Sequence, residues 1–318
     1  MIDVAAIATL RAVSARGSVV GAAQALGFTP SAVSQQVKRL ERQTGAQLLE
    51  RFGRGVMLTE QGRRLVGEGG LILDALERLE AGLGEPHSPE SLRGSLRVAA
   101  FSTGVRGLLA PALVELAREA PRLQVTVVEQ DPHEAVELVA TGQVDIALAH
   151  NWADLPLPIP EHVEWVTLGI DRADVLVHAD HPIAQREAVT PAELAGERWA
   201  CAPAGSVCHT WLTHLYDGIG ATPDIRYWAG EFSSHVVLVE HGVAVSLVPR
   251  LGREILPAQV VAVPVTDPVP TRRVQLLWRR TMAPSPAIQE LRATLERVAG
   301  RALAPAPLPA GRTRSTAG

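Results

Sequence analysis

The side chains best suited to specific chemistry lie on one face of a predicted helix near the amino terminus. At about 100° per residue, a helix over residues 31–44 places Val33, Val37 and Leu40 on one face. The opposite face carries amide, hydroxyl and basic groups, from Ser31, Gln35, Lys38 and Arg42 with Ser34 and Arg39 beside them. Such groups can bond base edges and phosphate oxygens together. The pattern predicts a surface that contacts double-stranded DNA.

Local signals mark where this helix begins and indicate a second helix before it. Thr29 or Ser31 can cap the helix, and Pro30 can occupy its first turn, where a missing N–H costs nothing. Upstream, a short helix capped by Ser18 and ended by Gly27 has a compact apolar face, formed by Ala22, Ala23 and Leu26. The pair predicts a helix-turn-helix, whose second helix enters the major groove. An ordinary pair of surface helices is the alternative, because charged outer faces are common.

A basic hairpin follows and favours DNA binding. Residues 50–58 predict two short strands, whose glycines permit the turn and whose Arg51 and Arg54 can reach phosphates or the minor groove. Residues 1–66 carry nine basic and four acidic side chains, whereas the rest of the chain carries 21 basic and 30 acidic ones. The basic end is therefore the part expected to bind nucleic acid. The expected DNA contacts are Thr29, Pro30, Ser31, Ser34, Gln35, Lys38, Arg39, Arg42, Arg51 and Arg54.

These residues belong to a signature with fixed spacing. It comprises Ser18, Ala22, Ala23, Leu26, Pro30, Ser31, Ala32, Val33, Ser34, Leu40, Glu41, Gly45, Leu48, Arg51, Leu58, Thr59 and Gly62. The signature resembles the amino-terminal region of the LysR-type transcriptional regulators. Two positions depart from the family pattern: Leu49 stands where phenylalanine is usual, and Gln35 where many members carry arginine. The resemblance is weaker over the rest of the chain and stops near residue 300.

Residues 59–94 predict a linker helix that ends in a hinge loop. Apolar residues recur at the alternating spacing of three and four that is typical of a coiled-coil seam, at Leu65, Ile72, Leu76, Leu79 and Leu83. Three glycines weaken the helix by up to about 1 kcal/mol each relative to alanine, and one of them, Gly69, occupies a seam position. We expect this helix to dimerise. The resemblance implies antiparallel pairing in a homodimer or homotetramer, and it favours the tetramer.

Beyond residue 95 the pattern changes to alternating strands and helices, which predicts an α/β architecture. Strands are predicted over 96–100, 124–129, 144–149, 165–168, 174–178, 199–202, 225–227, 244–248 and 274–278, and helices over 108–119, 133–141, 208–216, 234–241 and 286–299. Residues 142–148, 181–184 and 242–249 resemble the LysR-type effector domain of periplasmic-binding-protein type. That resemblance implies two lobes, with crossings expected near 155–164 and 263–270.

The predicted fold is therefore α+β and multi-domain. It has a winged helix-turn-helix over 1–58, a linker helix and hinge over 59–94, a two-lobed α/β effector-binding domain over 95–300 and a disordered tail over 301–318. One lobe is expected to combine 95–160 with 268–300, and the other to span 161–267. A length of 318 residues with 47% apolar residues suffices for one small and one larger core. The tail is too rich in proline, alanine and small polar residues to pack.

Loops at the carboxyl ends of the predicted strands point to a ligand cleft, because open α/β sheets bind ligands there. The expected effector-binding residues are Ser102, Thr103, Gly104, His150, Asn151, Gly205, Ser206, Phe232 and Ser233. Hydroxyls, backbone N–H groups and an imidazole suit a small polar or anionic molecule, and Trp152 and Phe232 can cover an apolar part of it. For each residue alone, a structural role such as helix capping is the alternative.

Other constellations do not support catalysis or metal binding. Cys201 and Cys208 are seven apart and could form a redox switch, although buried or unpaired thiols are the more frequent outcome at this spacing. His178, Asp180 and His181 have no convincing fourth ligand. No nucleophile elbow, phosphate-binding loop or zinc-protease helix occurs. We therefore expect no catalytic residue, metal or cofactor.

The expected function is regulation of transcription by a DNA-binding protein that senses a small molecule. RNA polymerase is a further candidate partner. With no signal peptide and no apolar run of about 20 residues, the chain is expected to be cytoplasmic and to have no membrane contact. A solute-binding or transport component with an oligomerisation module is one alternative. An enzyme built on the two-lobed fold is another, which the missing motifs disfavour.

Overall fold

The structure, a computed structural model, describes residues 2–53, 55–82, 90, 92–152 and 155–305. The amino-terminal part contains α1 (Val4–Arg16), α2 (Val19–Leu26), α3 (Pro30–Thr44), β1 (Leu49–Phe52) and β2 (Gly55–Leu58), and the long helix α4 (Glu60–Gly82) follows. The apolar faces of α1, α2 and α3 share one core, which includes Ile7, Leu10, Val37, Leu40 and Leu48. The strands β1 and β2 pair antiparallel. The predicted winged helix-turn-helix is confirmed.

The ends of the first helices follow their capping signals. Ser18 Oγ accepts the Gly21 N–H at 3.0 Å, and Thr29 Oγ1 accepts the Ala32 N–H at 3.2 Å. Thr29 rather than Ser31 is therefore the cap of α3, and Pro30 is its first residue. The helix α2 ends at Gly27 in the left-handed conformation, with φ of 67°, which only glycine adopts readily.

The first half of α4 packs on α1, and its second half presents apolar side chains to solvent. Gly69 is buried against Ile7, and a Cβ at position 69 would lie 2.7 Å from Ile7 Cγ2. Gly69 thus permits close helix contact within the chain, which differs from its expected place in a dimer seam. The exposed apolar residues of α4 are Leu71, Ile72, Leu76 and Leu79. Leu83 lies outside the described residues.

The part of the chain beyond residue 92 is built on a long mixed sheet and a smaller parallel one. Its strands are β3 (Gly94–Ala100), β4 (Leu123–Glu129), β5 (Ile146–Trp152), β6 (Val163–His178), β7 (Arg198–Cys201), β8 (Asp224–Trp228), β9 (Ser246–Pro249), β10 (Val260–Pro264) and β11 (Thr271–Arg279). The main sheet has the order β10-β6-β11-β5-β3-β4, with β9 also paired to β6, while β7 and β8 form the second sheet. β3 runs parallel to β4 and β5, whereas β11 is antiparallel to β5 and β6.

Helices cover this framework and begin next to the carboxyl ends of strands. They are α5 (Ser102–Gly104), which continues through a π-helical turn (Val105–Leu109) into α6 (Ala110–Glu119), then α7 (Pro132–Ala140), α8 (Val207–Asp217), α9 (Phe232–Glu240) and α10 (Pro286–Ala302). Short 3-10 turns occupy Pro182–Gln185, Pro191–Leu194 and Arg280–Met282. The predicted order of strands and helices holds with two differences: the strands predicted over 165–168 and 174–178 are one strand, β6, and β10 was not predicted.

The first crossing between the lobes differs from its expected position at 155–164. Strand β6 is continuous over 16 residues: Val163 to Arg172 pair with β11, and Ala173 to His178 pair with β9 and β10. Residues 161–172 therefore belong with the first lobe, and the chain crosses inside a strand near residue 172. Backbone pairing on both sides of β6 holds it extended through the crossing, so no loop marks the boundary. The return, between Pro264 and Thr271, falls within the expected 263–270.

The carboxyl-terminal helix extends further than expected. α10 continues to Ala302, and Ala304 bridges to Ile170 through backbone hydrogen bonds of 2.9 and 3.1 Å. Residues 301–305 are therefore ordered against β6, in contrast to the expected tail, because backbone groups of β6 offer them partners. Gly169 makes room there, since a Cβ would lie 2.6 Å from Leu303 Cβ. Residues 306–318 lie outside the described residues.

An ion pair within the described part of the chain links the amino-terminal part to the first lobe. Arg16 Nη1, at the end of α1, lies 2.8 Å from Glu137 Oε2 of α7. The first residues of α7, Pro132 and His133, line the cleft described below. A single helix of nine residues therefore contacts both regions.

Candidate nucleic-acid interface and ligand cleft

The polar face of α3 points to solvent along its length. Ser31, Gln35, Lys38, Arg39 and Arg42 are exposed, as are Thr29 and Pro30 at its start, and Ser34 is half-buried. Val33, Val37 and Leu40 are buried on the opposite face. A groove of about 860 Å³ runs beside the helix, and its lining includes Gln35, Lys38 and Arg42.

The basic and amide residues of this face differ in whether they form hydrogen bonds or ion pairs within the chain. Gln35 and Lys38 have no side-chain hydrogen bond or ion pair to any residue that the structure describes. Arg39 Nη1 lies 3.6 Å from Asp3 Oδ2, and Arg42 Nε donates to the Lys38 carbonyl at 3.3 Å. The neighbouring Gln36 turns inward and contacts Thr9. Gln35 and Lys38 are therefore the residues of α3 most available to an external partner.

The hairpin beside α3 is attached to the turn between α1 and α2. The Val56 N–H donates to the Gly17 carbonyl at 3.0 Å, and a Cβ at Gly55 would lie 2.5 Å from the same oxygen. Only glycine fits at this contact. Arg51, opposite Val56 in the ladder, is exposed. Arg54, the other basic residue predicted for this wing, lies outside the described residues.

A cleft of about 550 Å³ opens between the two lobes. Six of the expected effector residues line it: Ser102, Thr103, His150, Gly205, Ser206 and Phe232. Three do not, namely Gly104, Asn151 and Ser233. Gly104 and Asn151 are buried beside the cleft-lining Thr103 and His150, and Ser233 is exposed. In each case the neighbouring residue on the element is the one that reaches the cleft.

Several lining residues were missed by the sequence analysis. They are Phe101, Glu129, Gln130, Asp131, Pro132, His133, Glu134, Ala202, Pro203, Ala204, Cys208, Gly230 and Arg272. Residues 129–134 lie at the carboxyl end of β4, so the rule that selected Ser102 and His150 applies equally to them. Arg272 is different, because it lies near the beginning of β11, and no local signal indicates that this strand end reaches the cleft.

Arg272 is anchored at the floor of the cleft. Its Nε donates to Asp171 Oδ2 at 2.8 Å, and its Nη2 donates to Thr103 Oγ1 at 2.6 Å. The guanidinium carbon lies 5.0 Å from the ring centre of Phe101 and 5.8 Å from that of Trp152. Aromatic faces at this distance stabilise a cation. The arginine is therefore held by a carboxylate, a hydroxyl and two rings.

His150 lies beside Arg272 and is neutral at neutral pH. Burial lowers the pKa of its imidazole well below 6.5, and the positive charge of Arg272 lowers it further. The ring meets Phe101 edge-on, with centroids 4.6 Å apart. Nδ1 is buried and has no hydrogen-bond partner among the described residues. A buried polar atom without a partner costs about 1–3 kcal/mol, which a ligand can recover.

Trp152, expected from the sequence to cover part of the ligand, is buried and does not line the cleft. Its ring stacks on Trp211 of α8, with centroids 4.6 Å apart, so that the end of β5 contacts the opposite lobe. Ser206, at the start of α8, accepts the His209 N–H at 3.2 Å and therefore caps that helix as well as lining the cleft. Its capping role and its place in the cleft are compatible.

The two cysteines lie in apolar surroundings near the cleft. Burial raises the pKa of the Cys201 thiol to about 12, with a further contribution from Cys208. Burial also raises the pKa of Cys208. The thiolate is the reactive form, so neither residue is activated at neutral pH in this conformation.

Among the residues considered as metal ligands, His181 forms a hydrogen bond with Glu197, with Nε2 3.2 Å from Oε2.

Two family models match the chain. The model described as "Bacterial regulatory helix-turn-helix protein, lysR family" matches residues 4–63, and that described as "LysR substrate binding domain" matches residues 89–300. The chain belongs to the LysR family of transcriptional regulators. This LysR-type regulator thus combines a helix-turn-helix DNA-binding domain with an effector domain. None of its described helices is long and apolar enough to cross a lipid bilayer.

Relatives of this LysR-type regulator are themselves regulators of transcription, not enzymes. The HTH-type transcriptional regulator YnfL of Escherichia coli is 27% identical over 275 residues, which cover 85% of this chain and 90% of YnfL. A hydrogen peroxide-inducible genes activator of Pectobacterium carotovorum is 26% identical over 262 residues, which cover 81% of this chain and 84% of the activator.

Solved structures of full-length regulators share the fold. A full-length OxyR variant from Pseudomonas aeruginosa has a TM-score of 0.64 at 21% identity, covering 93% of this chain and 95% of that one. Full-length BenM has a TM-score of 0.59 at 23% identity, covering 96% and 100%. At these identities the likeness concerns the fold alone.

Proposed function

We propose that this LysR-type regulator reads operator DNA through the exposed face of α3 and the wing, and that it senses a small molecule in the cleft. The observation that carries the DNA assignment is the state of Gln35 and Lys38, which are exposed and have no partner among the described residues. Gln35 can read base edges in the major groove, and Lys38 can contact phosphate. Arg51 and Arg54 take positions at phosphates or in the minor groove.

Ligand sensing acts through the two strands that connect the lobes. β6 passes from one lobe to the other, β11 begins where the chain has returned, and Asp171 and Arg272 join the two strands at the floor of the cleft. A ligand that contacts both walls stabilises the closed arrangement of the lobes more than the open one. The populations shift only to the extent of that difference in affinity.

The assembly is a homodimer or homotetramer in the cytoplasm. The apolar stripe of α4, formed by Leu71, Ile72, Leu76 and Leu79, supports pairing of two linker helices, since these side chains are between 41% and 70% exposed. Pairing places two reading heads on one operator. RNA polymerase is the further partner through which operator occupancy changes transcription.

The test is to map the genomic binding sites of the full-length protein and then to measure binding to the recovered operator at several salt concentrations. A dimer that makes about six to ten phosphate contacts should lose about 10³- to 10⁵-fold in affinity between low and moderate salt. The mapped sites also identify the neighbouring genes, whose products indicate the chemical class of the effector. Affinity that does not depend on salt or on sequence would contradict the proposal.

A further inference from the structure

The charge of the cleft limits which molecules it accepts; the inference drawn from it rests on the proposed sensing function. Glu129, Asp131 and Glu134 line the cleft from the first lobe, at the end of β4 and the first turn of α7. The opposite wall, residues 202–206, has no charged side chain. Among the described residues, Arg272 is the one arginine of the lining, which contains no lysine, and its charge is paired with Asp171 at 2.8 Å. The lining therefore has an excess of carboxylates.

These carboxylates are not neutralised by pairing with basic side chains. Glu129 and Glu134 are exposed and have no ion pair to any residue within the described ranges. Asp131 Oδ1 accepts the His133 N–H at 3.1 Å, as a helix cap does, and no basic side chain of the described part of the chain forms an ion pair with it. An anionic ligand in the cleft would be repelled by three carboxylates, whereas a cationic ligand would be attracted by all three.

A buried polar group supplies an independent sign of a ligand. His150 is 2% exposed, lines the cleft and leaves its Nδ1 without a hydrogen-bond partner among the residues that the structure describes. The His150 imidazole is neutral, so it can form a hydrogen bond with a polar group of a ligand but gives little attraction to an anion. The site thus offers one buried hydrogen-bonding atom in addition to its carboxylates.

Aromatic surface completes the lining. Phe101 is almost fully buried at the floor, and Phe232 is half-buried at the start of α9 on the other lobe. Organic cations are attracted to the faces of such rings, whereas inorganic cations prefer oxygen ligands. A volume of about 550 Å³ is of the size that holds a small organic molecule.

We infer that the effector is a small organic cation, whose protonated amine binds among Glu129, Asp131 and Glu134 and whose carbon skeleton lies between Phe101 and Phe232. The sequence predicted a polar or anionic effector. The inference keeps a polar effector and replaces the anion by a cation. The hydroxyls and helix ends that suggested an anion are present, but Thr103 is bonded to Arg272 and Ser206 to the first turn of α8. The carboxylates of residues 129–134 were not part of that expectation.

The test compares probes of equal length that differ in charge. Binding of 1,5-diaminopentane, L-lysine, 1,5-pentanediol and pentanedioate to the full-length protein is measured by calorimetry, together with a panel of other amines and the carboxylic acids that match them in size. We expect the ligands found to be amines. A panel in which the acids or the uncharged members bind and the amines do not would overturn the inference, as would a panel in which nothing binds.

An isosteric variant locates the bound amine. Asp131→Asn removes one charge and keeps an N-cap residue, because asparagine caps helices as well as aspartate. We expect it to raise the Kd of the best amine about tenfold, the effect of one lost charge-assisted hydrogen bond. Glu187→Gln, at an exposed carboxylate outside the cleft, is the control and should leave the Kd unchanged. Equal Kd values for Asp131→Asn and the parent protein would overturn the inference.

Failure of the inference and failure of the proposed function give different results. If acids bind in the cleft and change operator affinity, the sensing function stands and the cation is wrong. If the best amine binds in the cleft but leaves operator affinity unchanged, the ligand class stands and the sensing function fails. Operator affinity is measured in the same preparation by gel shift, with and without each probe.

Discussion

Arg272 of β11 and Asp171 of β6 form a buried ion pair next to both crossings between the lobes, with Nε and Oδ2 2.8 Å apart. Asp171 Oδ1 also accepts the N–H of Leu251 at 3.0 Å, and Arg272 donates to Thr103 in the loop after β3. Four segments that are distant in the sequence therefore meet at one pair of charges.

Removing one partner of this pair should strongly destabilise the effector domain. Arg272→Met leaves Asp171 buried without a counter-charge, which costs about 3–5 kcal/mol. The free energy of unfolding by urea measures this loss. Arg273→Met is the matched control on the same strand, at a half-exposed arginine without an ion pair among the described residues, and should change the free energy by less than about 0.5 kcal/mol. Similar losses for both variants would contradict the anchoring role of Arg272.

Substitutions on the exposed face of α3 should separate affinity from base preference. Lys38→Ala should weaken binding to all sequences and reduce the slope of log affinity against log salt by about one. Gln35→Ala should cost about 1–3 kcal/mol on the preferred operator and relax the choice of one base pair. Gel shifts with an operator and its single-base variants measure both effects. Arg186→Ala, far along the chain in the effector domain, is the control, and two unchanged α3 variants would remove the assignment.

Ser102→Ala should blunt the response to the effector and leave operator binding intact. The side chain lines the cleft and makes no hydrogen bond within the described part of the chain, so its loss does not disturb the fold. Ser206→Ala is less clean, because it also removes the α8 cap at a cost of about 1 kcal/mol. Ser206→Asn keeps a capping group and is the better partner variant. Effector-dependent gel shifts report the response; loss of operator binding in both variants would indicate misfolding instead.

Two adjacent glycines of α4 should respond in opposite directions to alanine. A Cβ at Gly69 would lie 2.7 Å from Ile7 Cγ2, so Gly69→Ala pushes α4 away from α1 and should lower the melting temperature. A Cβ at Gly70 would meet no atom of the described residues within 4 Å beyond the backbone of its own helix, so Gly70→Ala should stabilise the helix by up to about 1 kcal/mol. Thermal unfolding compares the two directly. If both raised the melting temperature, Gly69 would not be a contact between α1 and α4.

Acid should destabilise the folded protein through its buried imidazoles. Burial lowers the pKa of His150 well below 6.5 and also lowers that of His235. Below about pH 6.5 the unfolded chain binds protons that the folded chain does not, so the free energy of unfolding falls by up to about 1.4 kcal/mol per pH unit for each imidazole. Above that pH neither residue changes stability. Urea unfolding near pH 7.5 and near pH 5.5 should give a smaller difference for His150→Gln than for the parent protein.

Features written in short segments of sequence were the ones that could be predicted. The start of α3 depends on Thr29 and Pro30 alone, and its buried and exposed faces follow from the spacing of apolar residues. Ser102 follows β3 and His150 lies near the end of β5, and both strands are recognisable in the sequence, which is why the cleft could be placed. Local signals of this kind do not depend on the rest of the chain.

Features that depend on distant contacts could not be predicted. The sequence of β6 contains no sign that one strand serves both lobes, because its pairing partners lie 70 or more residues away. Arg272 and Asp171 meet for the same reason. Gly69 has the spacing of a seam residue. Only the position of Ile7 shows that glycine is needed there because α1 packs closely against α4.

The short helix α7 gives this arrangement a mechanical consequence. Hydrogen bonds from each turn to the next make nine residues move as one rod, so its two ends cannot shift independently. Asp131 and His133 lie at the end of α7 beside the cleft, and Glu137, further along the helix, forms an ion pair with Arg16 of α1. The first turn of α7 and the ion pair with Arg16 are therefore parts of one rigid element within a single chain.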